Sequence, residues 1–598
     1  MSSLSMSTQR SRFGSLNPAI LLTLAWAAIV VALAAPAIKT GVFDTMSTDD
    51  AMRLVEVRDL LEGQEWFDLT QHRLDPPGIA MHWSRIVDAP LAGMILLLRP
   101  LIGQHNAEAI TLVLWPSLLI GAALALAALI ARQASEGADR ERIQLAAVLL
   151  AALSIPALIH FRTGAIDHHN LQIVLMLALV LCASDIERSS VKASLAGLFA
   201  ALSLAIGLEM LPAIAMACVA VAGLLLWKGT AVARGAGLYG ASLAASSALL
   251  SLILIPSSGL AAPVCDAFGG PVLLLAVGGG ISLVVTAAAS RAGWPVRLAT
   301  SVLAGALLLW GFFGLFPGCV ASPYAQVDPL LTDFWLDRVA ETMSIGTVAQ
   351  LQPQKLLGYF AFPALTLALC LAALSRSTPQ ARFRWIVASV TLAALFGVSL
   401  WQLRGAAAAT IVAAPLFVPA IASLRVGRTD GWQLLRAALI ISPASLAGIG
   451  LLLWPAFATS TQSQIATVEH GAACQTLSSV TPLSTLEPGR VMAPIDSGPA
   501  ILAATGHAVF AAPYHRNNHG NLVMVHSMLA SPENARELLA RHKVDYILTC
   551  GASPDQLDLV RMAPDGLAAR LGRGEAPDFL EPVSSISRPG LAVWRVRK

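Results

Sequence analysis

The sequence predicts a polytopic α-helical membrane protein that ends in a soluble α/β domain. Of its 598 residues, 56% are hydrophobic and only 13% are charged, and the mean hydropathy is +0.68. Soluble globular domains carry about 25% charged residues, so these values exclude that class for most of the chain. Long apolar stretches fill residues 1–457, whereas residues 458–598 are mixed in polarity. The net charge of +3 is too small to indicate a nucleic-acid partner.

Thirteen apolar stretches are interpreted as membrane spans. Two of them, 168–184 and 193–208, are near the short limit for a helix that crosses the hydrocarbon core. A further stretch, 89–103, is interpreted as a helix outside the membrane, because a fourteenth span would break the charge pattern of the loops. The thirteen stretches are 18–38, 107–131, 143–160, 168–184, 193–208, 210–227, 233–255, 269–290, 297–317, 355–375, 383–401, 405–424 and 434–457.

The charge pattern also sets the expected orientation. With thirteen spans and a cytoplasmic N-terminus, every short loop rich in Arg or Lys falls on the cytoplasmic side. The opposite short loops carry little beyond Arg162 and Arg404. We therefore expect a bacterial or archaeal plasma-membrane protein with an uncleaved first span and an extracytoplasmic C-terminal domain. The cytoplasmic basic residues are Arg10, Arg12, Arg132, Arg140, Arg142, Arg188, Lys192, Lys228, Arg234, Arg291, Arg297, Arg376, Arg382, Arg384, Arg425, Arg428 and Arg436.

Three regions are then expected outside the cytoplasm: the first long loop (39–106), the second long loop (318–354) and the C-terminal domain (458–598). In the C-terminal domain, the residue pattern predicts strands over 490–495, 508–512 and 544–549 and helices over 499–505 and 534–541. The cysteines divide between spans and these external regions. The external ones predict the disulfides Cys265–Cys319 and Cys474–Cys550, although they are also compatible with unpaired small apolar residues.

Several acidic and imidazole side chains are expected at one membrane face, the one that carries the first long loop. Asp49 and Asp50 follow the first span and open a predicted helix, where acids also simply favour the helix N-terminus. The segment Asp167-His168-His169 is expected on the same membrane face. Carboxylate and imidazole together form a plausible first shell for Mg²⁺ or Mn²⁺, so the sequence predicts a divalent metal site there.

Three more charged residues are expected at this face. Glu341 lies in the second long loop, Arg404 lies at the end of a late span, and Glu209 is a lone acid between two spans. An arginine at headgroup depth suits the phosphate of a lipid-linked substrate. In the alternative interpretation, the Arg404 side chain only extends to the membrane interface, which is ordinary snorkelling. Glu209 is a candidate functional residue or the mark of a tight turn.

Taken together, these features resemble the catalytic subunit of the oligosaccharyltransferases, especially the single-subunit archaeal and bacterial forms, which are GT-C class membrane glycosyltransferases. The shared features are thirteen spans, an acid at the start of a long first loop, an Asp-His-His loop after the third span, a Val-Ala-Glu motif (Val339-Ala340-Glu341), a late Arg and an external C-terminal domain. The resemblance covers the whole topology, but the motifs cover only a few tens of residues.

The resemblance implies a role for each matched position. Asp49 would be the catalytic first-loop acid and a metal ligand, with Asp50 as the alternative. Asp167 and His169 would be metal ligands. The acid of the second long loop, Glu341, would help to hold the acceptor and shape the metal site. Arg404 would bind the phosphate of a polyprenyl-linked donor. His168 and Glu209 remain possible site residues.

One departure from the family concerns the acceptor. The segment Pro494-Ile495-Asp496-Ser497-Gly498 stands where the family carries Trp-Trp-Asp-Tyr-Gly, which belongs to the pocket for the Ser/Thr of an Asn-glycosylation site. Asp496 and Gly498 match the Asp and Gly of the family motif. In the alternative interpretation, they simply form a turn after a strand. The loss of the aromatic residues argues against a protein asparagine as acceptor, and leaves glycolipid, glycan or protein acceptors open.

Two alternatives are retained. The pattern Asp49-Asp50 with Arg53, Arg58 and Trp66 also resembles transferases that move one sugar from a polyprenyl monophosphate to lipid A or cell-wall glycans. A lipid or solute transporter is the non-enzyme alternative, but its charges should line a path through the spans. Here the polar residues gather at one face, which favours surface chemistry on a substrate embedded among membrane lipids.

Overall fold

The computed structural model describes residues 18–135, 140–320, 324–424, 431–457, 474–551 and 553–597. Of the predicted cytoplasmic basic residues, Arg10, Arg12, Arg425 and Arg428 lie outside the described residues. The helices of the first part of the chain are α1 (Pro18–Thr40), α2 (Thr48–Leu61), α3 (Arg85–Ile102), α4 (Gln104–Ala134), α5 (Arg140–Ala152), α6 (Ile155–Leu158), α7 (His169–Ala183), α8 (Ser190–Ile206), α9 (Leu211–Lys228), α10 (Thr230–Leu254), α11 (Gly270–Ala288), α12 (Trp294–Leu315), α13 (Pro329–Phe334), α14 (Ile345–Leu351), α15 (Phe362–Arg376), α16 (Pro379–Trp401), α17 (Gly405–Leu424), α18 (Gly431–Ile440) and α19 (Pro443–Phe457).

The helical bundle confirms a multi-pass membrane protein. Within the described residues, 10 helices are long and apolar enough to cross a membrane, and α5 with the turn Ile155–Phe161 makes an eleventh that is bent by 61°. The other two predicted spans are the shorter apolar helices α7 and α8, of 15 and 17 residues. At about 1.5 Å per residue, both are shorter than the roughly 30 Å hydrocarbon core. The amphipathic α3, predicted as a helix outside the membrane, is not among the candidate spans.

The centre of the bundle is α17. Every residue from Gly405 to Ala420 is buried, and many of them are alanine. Small side chains let neighbouring helices approach closely, which is how helices associate in a membrane without a hydrophobic driving force. At the edge of the bundle, α1 and α12 bury almost none of their apolar surface within the chain. This difference in burial indicates that α17 is an inner helix and that α1 and α12 face the lipid.

The C-terminal region is an α/β unit, as the sequence predicts. Its helices are α20 (Leu477–Val480), α21 (Gly498–Ala504), α22 (Asn518–Leu529), α23 (Pro532–Arg541), α24 (Pro554–Met562) and α25 (Leu567–Gly572). After the short hairpin of β1 (Thr70–Gln71) and β2 (Ile79–Ala80) in the first long loop, its strands are β3 (Arg490–Met492), β4 (Ala508–Val509), β5 (Tyr546–Thr549), β6 (Leu580–Pro582) and β7 (Ala592–Val596). They form one sheet in the order β4-β3-β5-β7-β6, in which β3 runs parallel to β4 and β5, and β7 runs antiparallel to β5 and β6.

Apolar side chains of both long loops pack into the same hydrophobic clusters as side chains of the C-terminal region. Met52 and Val55 of α2 are buried against a cluster that includes Ile501 of α21. Leu331 of α13 is buried in a second cluster with Phe510. The C-terminal region therefore closes over the loops, and it is packed against the rest of the chain through apolar surface.

Two disulfides lie outside the spanning helices. They join Cys265 to Cys319 and Cys474 to Cys550, which are the pairs that the sequence predicts. The remaining cysteines, Cys182, Cys218 and Cys370, are free and lie within α7, α9 and α15.

Candidate functional site

The start of α2 is tied to the loop that precedes α7. Ser47 caps α2, and its backbone N–H donates to Asp50 Oδ2 at 2.9 Å in a capping box. Asp50 also accepts from Arg162 Nη2 at 2.8 Å and from the backbone N–H groups of Ile166 and Asp167 at 2.9 Å each. Since both oxygens of this buried carboxylate are engaged, Asp50 holds the two segments together.

The same loop needs glycine at position 164. Gly164 has φ +91°, a conformation that L-residues other than glycine rarely adopt, and a Cβ there would lie 2.6 Å from Thr45 Oγ1. Thr45 Oγ1 in turn donates to the carbonyl of Thr163 at 2.8 Å. The loop is thereby seated directly against the residues that lead into α2.

Asp49, Asp167, His169 and Glu341 form one cluster, the acidic group. His169 Nε2 lies 3.3 Å from Asp167 Oδ2 and 3.8 Å from Glu341 Oε2. Asp49 lines the same cavity wall as His169 and Glu341. Burial, together with the charges of Asp167 and Glu341, raises the pKa of Asp49 to about 8. Carboxylates crowded in this way favour a bound cation.

The residues present fit a divalent metal ion. Asp167 is 6% exposed, and its buried Oδ2 accepts no hydrogen bond within the described residues. Its other oxygen, Oδ1, lies 2.6 Å from His168 Nδ1. Burial opposes ionisation of Asp167, but His168, His169 and Arg53 outweigh it and hold the pKa of the carboxyl well below its usual range. Asp167 therefore presents an ionised oxygen that accepts no hydrogen bond from the described residues and lies 3.3 Å from His169 Nε2. Such oxygen and imidazole donors suit Mg²⁺, Mn²⁺ or Zn²⁺.

Arg404 lies next to this group. Its Nη2 donates to the Tyr324 hydroxyl at 3.1 Å, and its Nη1 lies 3.5 Å from Glu209 Oε1. Its backbone N–H donates to the carbonyl of Glu341 at 3.0 Å. The second long loop is therefore anchored at the turn between α16 and α17, which places a permanent cation beside the acidic group.

Arg53 enters the sequence analysis only as part of the pattern that resembles single-sugar transferases, and in the structure it is fully buried at the site. Its guanidinium stacks 4.4 Å from the centroid of the Trp83 ring, donates to Asp88 Oδ1 at 2.8 Å and lies 3.4 Å from Asp167 Oδ1. The usable signal is spacing, because Asp49, Arg53 and Glu56 recur at helical intervals and share one face of α2. A charged face among the apolar residues of α2 indicates polar partners on that side.

Two cavities meet at the acidic group. Cavity A, of about 270 Å³, also contains Arg404, Tyr324 and His515. Cavity B, of about 730 Å³, continues from Asp167 to Asp496 and Asp555 of the C-terminal region. Asp49, His169 and Glu341 line both cavities. The site is therefore open on two sides, toward an arginine on one and toward two carboxylates on the other.

Asp496 lies in a turn directly after β3 and also lines cavity B. Gln475 Nε2 donates to its carboxylate at 3.4 Å. Burial raises the pKa of Asp496 to about 6, and burial together with Asp496 raises that of Asp555 to about 7. No sequence pattern selects Asp555, because it lies 59 positions further on, at the start of α24.

A second group of metal-binding residue types lies in cavity A: His82, Asp266 and His515. Arg516 already occupies both oxygens of Asp266, with Nε–Oδ2 and Nη2–Oδ1 distances of 2.7 Å. His515 Nε2 lies 2.7 Å from Asp266 Oδ2. Because the arginine neutralises the carboxylate, this group serves to hold the C-terminal region against the α10–α11 connection.

The fold is that of a known membrane enzyme. The archaeal oligosaccharyltransferase AglB from Archaeoglobus fulgidus, solved with an inhibitory peptide and a dolichol-phosphate, aligns with a TM-score of 0.63 at 15% identity, covering 94% of this chain and 72% of that one. The chain has the fold of an archaeal oligosaccharyltransferase. The same enzyme tethered to an acceptor peptide aligns with a TM-score of 0.61 at 14% identity, covering 92% and 72% of the two chains.

A third structure of the Archaeoglobus fulgidus enzyme, in complex with zinc and sulfate, aligns with a TM-score of 0.57 at 16% identity, covering 92% of this chain and 70% of that one. No protein-family model and no curated protein matches the sequence. The GT-C fold predicted from the sequence is therefore confirmed by structure alone, at low sequence identity.

Proposed function

We propose that the protein is a metal-dependent glycosyltransferase that moves a sugar or oligosaccharide from a polyprenyl-phosphate-linked donor to an acceptor on the outer face of the plasma membrane. The observation that carries this proposal is the convergence of Asp49, Asp167, His169 and Glu341 with Arg404 at the meeting point of two cavities. The oligosaccharyltransferase fold and the dolichol-phosphate held by one structural neighbour support it.

The two cavities suit the two substrates. Arg404 keeps its charge at any pH and has a planar guanidinium that matches phosphate oxygens, so cavity A suits the phosphate of the donor. Cavity B leads away from Arg404 toward the C-terminal region and suits the acceptor. Asp49 borders both cavities, at the place where the acceptor meets the anomeric carbon.

The reaction forms a bond between an acceptor heteroatom and the anomeric carbon and breaks the bond from that carbon to the phosphate oxygen. Asp49 orients the acceptor and takes the proton that its heteroatom loses. Arg404 binds the departing phosphate. Asp49, Asp167 and His169, beside Glu341, would hold a divalent ion, which would supply further stabilisation of the leaving-group charge, worth several kcal/mol.

The acceptor is proposed to lack an Asn-glycosylation sequon. Pro494 and Ser497 stand where the family has tryptophan and tyrosine. With Gln475 and Asp555, they line cavity B around Asp496. This acidic lining favours a sugar hydroxyl or amine as acceptor, in a glycolipid or a glycan. The second candidate, transfer of a single sugar from a polyprenyl monophosphate to lipid A or cell-wall glycan, rests on the pattern of Asp49 and Asp50 with Arg53, Arg58 and Trp66.

The test is transfer by purified protein in detergent from a radiolabelled polyprenyl-linked sugar, with a sequon peptide and extracted membrane glycolipid offered separately. We expect label in the glycolipid, loss of that label with EDTA and its return with Mn²⁺ or Mg²⁺. Label in the peptide would overturn the proposed acceptor class. Absence of label in both would overturn the enzyme proposal and favour a transporter.

The matched variants are Asp49→Asn and Asp50→Asn. Asp49→Asn should abolish transfer without lowering the melting temperature, because Asp49 lies among like charges. Asp50→Asn should lower the melting temperature, because its carboxylate accepts the hydrogen bonds that join α2 to the Asp167 loop. Full activity in Asp49→Asn would refute its assignment.

A further inference from the structure

We infer that Glu209 is a positioning residue that orients His169 and links the metal site to the phosphate site. This inference rests on the proposed function and gives a role to a residue that no motif assigns. Glu209 lies in the connection between α8 and α9, and its side chain is 15% exposed. Three side chains that surround it belong to the site: His168, His169 and Arg404.

The contact with His169 fixes the imidazole. Glu209 Oε2 lies 3.1 Å from His169 Nδ1, whereas His169 Nε2 faces Asp167 and Glu341. An ionised carboxylate only accepts hydrogen bonds, so Nδ1 must carry the proton that it donates. In the neutral imidazole, Nε2 is then left with its lone pair directed at the acidic group. A ligating histidine held by a carboxylate in this way is a common arrangement in metal proteins.

The contact with Arg404 uses the other oxygen. Glu209 Oε1 lies 3.5 Å from Arg404 Nη1 and 3.5 Å from His168 Nε2. One carboxylate therefore touches a proposed metal ligand through Oε2 and the proposed phosphate ligand through Oε1. Any displacement of Arg404 on binding a phosphate is transmitted to His169 through a single rigid group.

A side chain of the neighbouring helix α7 holds the segment that leads to Glu209 in place. Gln172 of α7 donates through Nε2 to the carbonyls of Ser203 and Gly207 at 3.2 and 3.0 Å, which fixes the end of α8. A Cβ at Gly207 would lie 2.9 Å from Gln172 Nε2, so the glycine permits this close approach. The arrangement keeps Glu209 in contact with His168 and His169 rather than at a free surface.

The test is binding of Mn²⁺ and of undecaprenyl phosphate by the purified full-length protein in detergent. Mn²⁺ is titrated by electron paramagnetic resonance, with and without saturating undecaprenyl phosphate, for the wild type, Glu209→Ala and Glu209→Gln. Glu187→Gln is the matched control, because Glu187 is also partly buried and ion-paired, with Lys228 Nζ at 3.0 Å, but lies away from the site. Melting temperatures and elution profiles check that each variant is folded.

We expect Glu209→Ala to weaken Mn²⁺ binding about 10- to 100-fold. Glu209→Gln should lose less, because its amide oxygen still accepts from His169 Nδ1. Both variants should reduce the effect of undecaprenyl phosphate on Mn²⁺ affinity, since the glutamine has one acceptor and cannot serve His169 and Arg404 together. The control should match the wild type.

Wild-type Mn²⁺ affinity in folded Glu209→Gln and Glu209→Ala would overturn the inference while leaving the metal site standing. Equal losses in Glu187→Gln would also overturn it, because the effect would then be a general one of removing a buried charge. Failure of the wild type to bind Mn²⁺ would refute the metal site itself, so the two failures are distinguishable.

Discussion

Asp49 and Asp50 are adjacent in the sequence and have opposite surroundings. Asp50 is buried among hydrogen-bond donors, whereas Asp49 faces other carboxylates in the cavity wall. Successive residues of a helix point about 100° apart, so one acid caps and fastens the helix while the next enters the site. The sequence pattern predicts both acids at the start of a helix, but the choice between them depends on which face of α2 meets the Asp167 loop.

The acidic pair of cavity B predicts a pH-dependent stability. Burial and Asp496 raise the pKa of Asp555 to about 7, above its value of about 3.9 in an unfolded chain. Between about pH 4 and pH 7, the folded state keeps a proton that the unfolded state has lost, so this group reduces stability as the pH rises. We expect Asp555→Asn to raise the melting temperature at pH 8 and to leave it nearly unchanged at pH 4.5.

Thermal unfolding of the purified protein across this pH range measures the effect. Asp565→Asn is the control, because Asp565 is an exposed acid in the same region. A melting-temperature difference that is equal at both pH values would contradict the prediction.

The element that joins the parts of the site is α2. Its apolar face packs on α21, and its polar face presents Asp49, Arg53 and Glu56. Arg53 connects α2 to Asp88 of α3 and to Asp167 before α7. The helix itself is predictable from its cap and its acids, and its charged positions indicate a polar face. Because both faces of the helix are buried, however, its pattern does not say which elements meet each face.

Removal of Arg53 should therefore destabilise the protein strongly. In Arg53→Met, the buried carboxylate of Glu56 loses the guanidinium 3.6 Å away, whereas Asp88 keeps Arg85 at 3.2 Å. Breaking a buried pair from one side costs about 3–5 kcal/mol. The melting temperature should fall accordingly, and Glu56→Gln added to Arg53→Met should recover part of the loss.

Arg99→Met is the control for Arg53→Met, because Arg99 is exposed near the end of α3. A double variant less stable than Arg53→Met alone would show that charge pairing is not the reason for the effect.

At the scale of the whole molecule, the site, the disulfides and the C-terminal region share one end of the bundle. Cys265 lines cavity A and Cys550 lines cavity B. His169 begins α7 at this end, whereas Asp185, just after the other end of α7, pairs with Lys192 at 2.8 Å. Disulfides form outside the cytoplasm and basic loops stay inside, so both signals support the proposal that the site faces outward.

Reporter fusions test this orientation. We expect alkaline phosphatase to be active when fused after Lys598 and inactive when fused after Arg188, because the enzyme folds only in an oxidising compartment. A green fluorescent protein fused at the same positions should give the opposite result. An active phosphatase after Arg188 would reverse the topology proposed here.

The sequence by itself determined the membrane class, the positions of the helices, the pairs of cysteines and the residue types at the site. These follow from local properties, since hydropathy, loop charge and short motifs act over a few residues. Only the tertiary structure decided that α2 packs beneath the C-terminal region, that Arg53 joins Asp88 to Asp167, that Asp555 lines cavity B, and that Glu209 touches both His169 and Arg404. Those contacts join residues far apart in the chain, and side-chain direction and packing create them, so no local pattern records them.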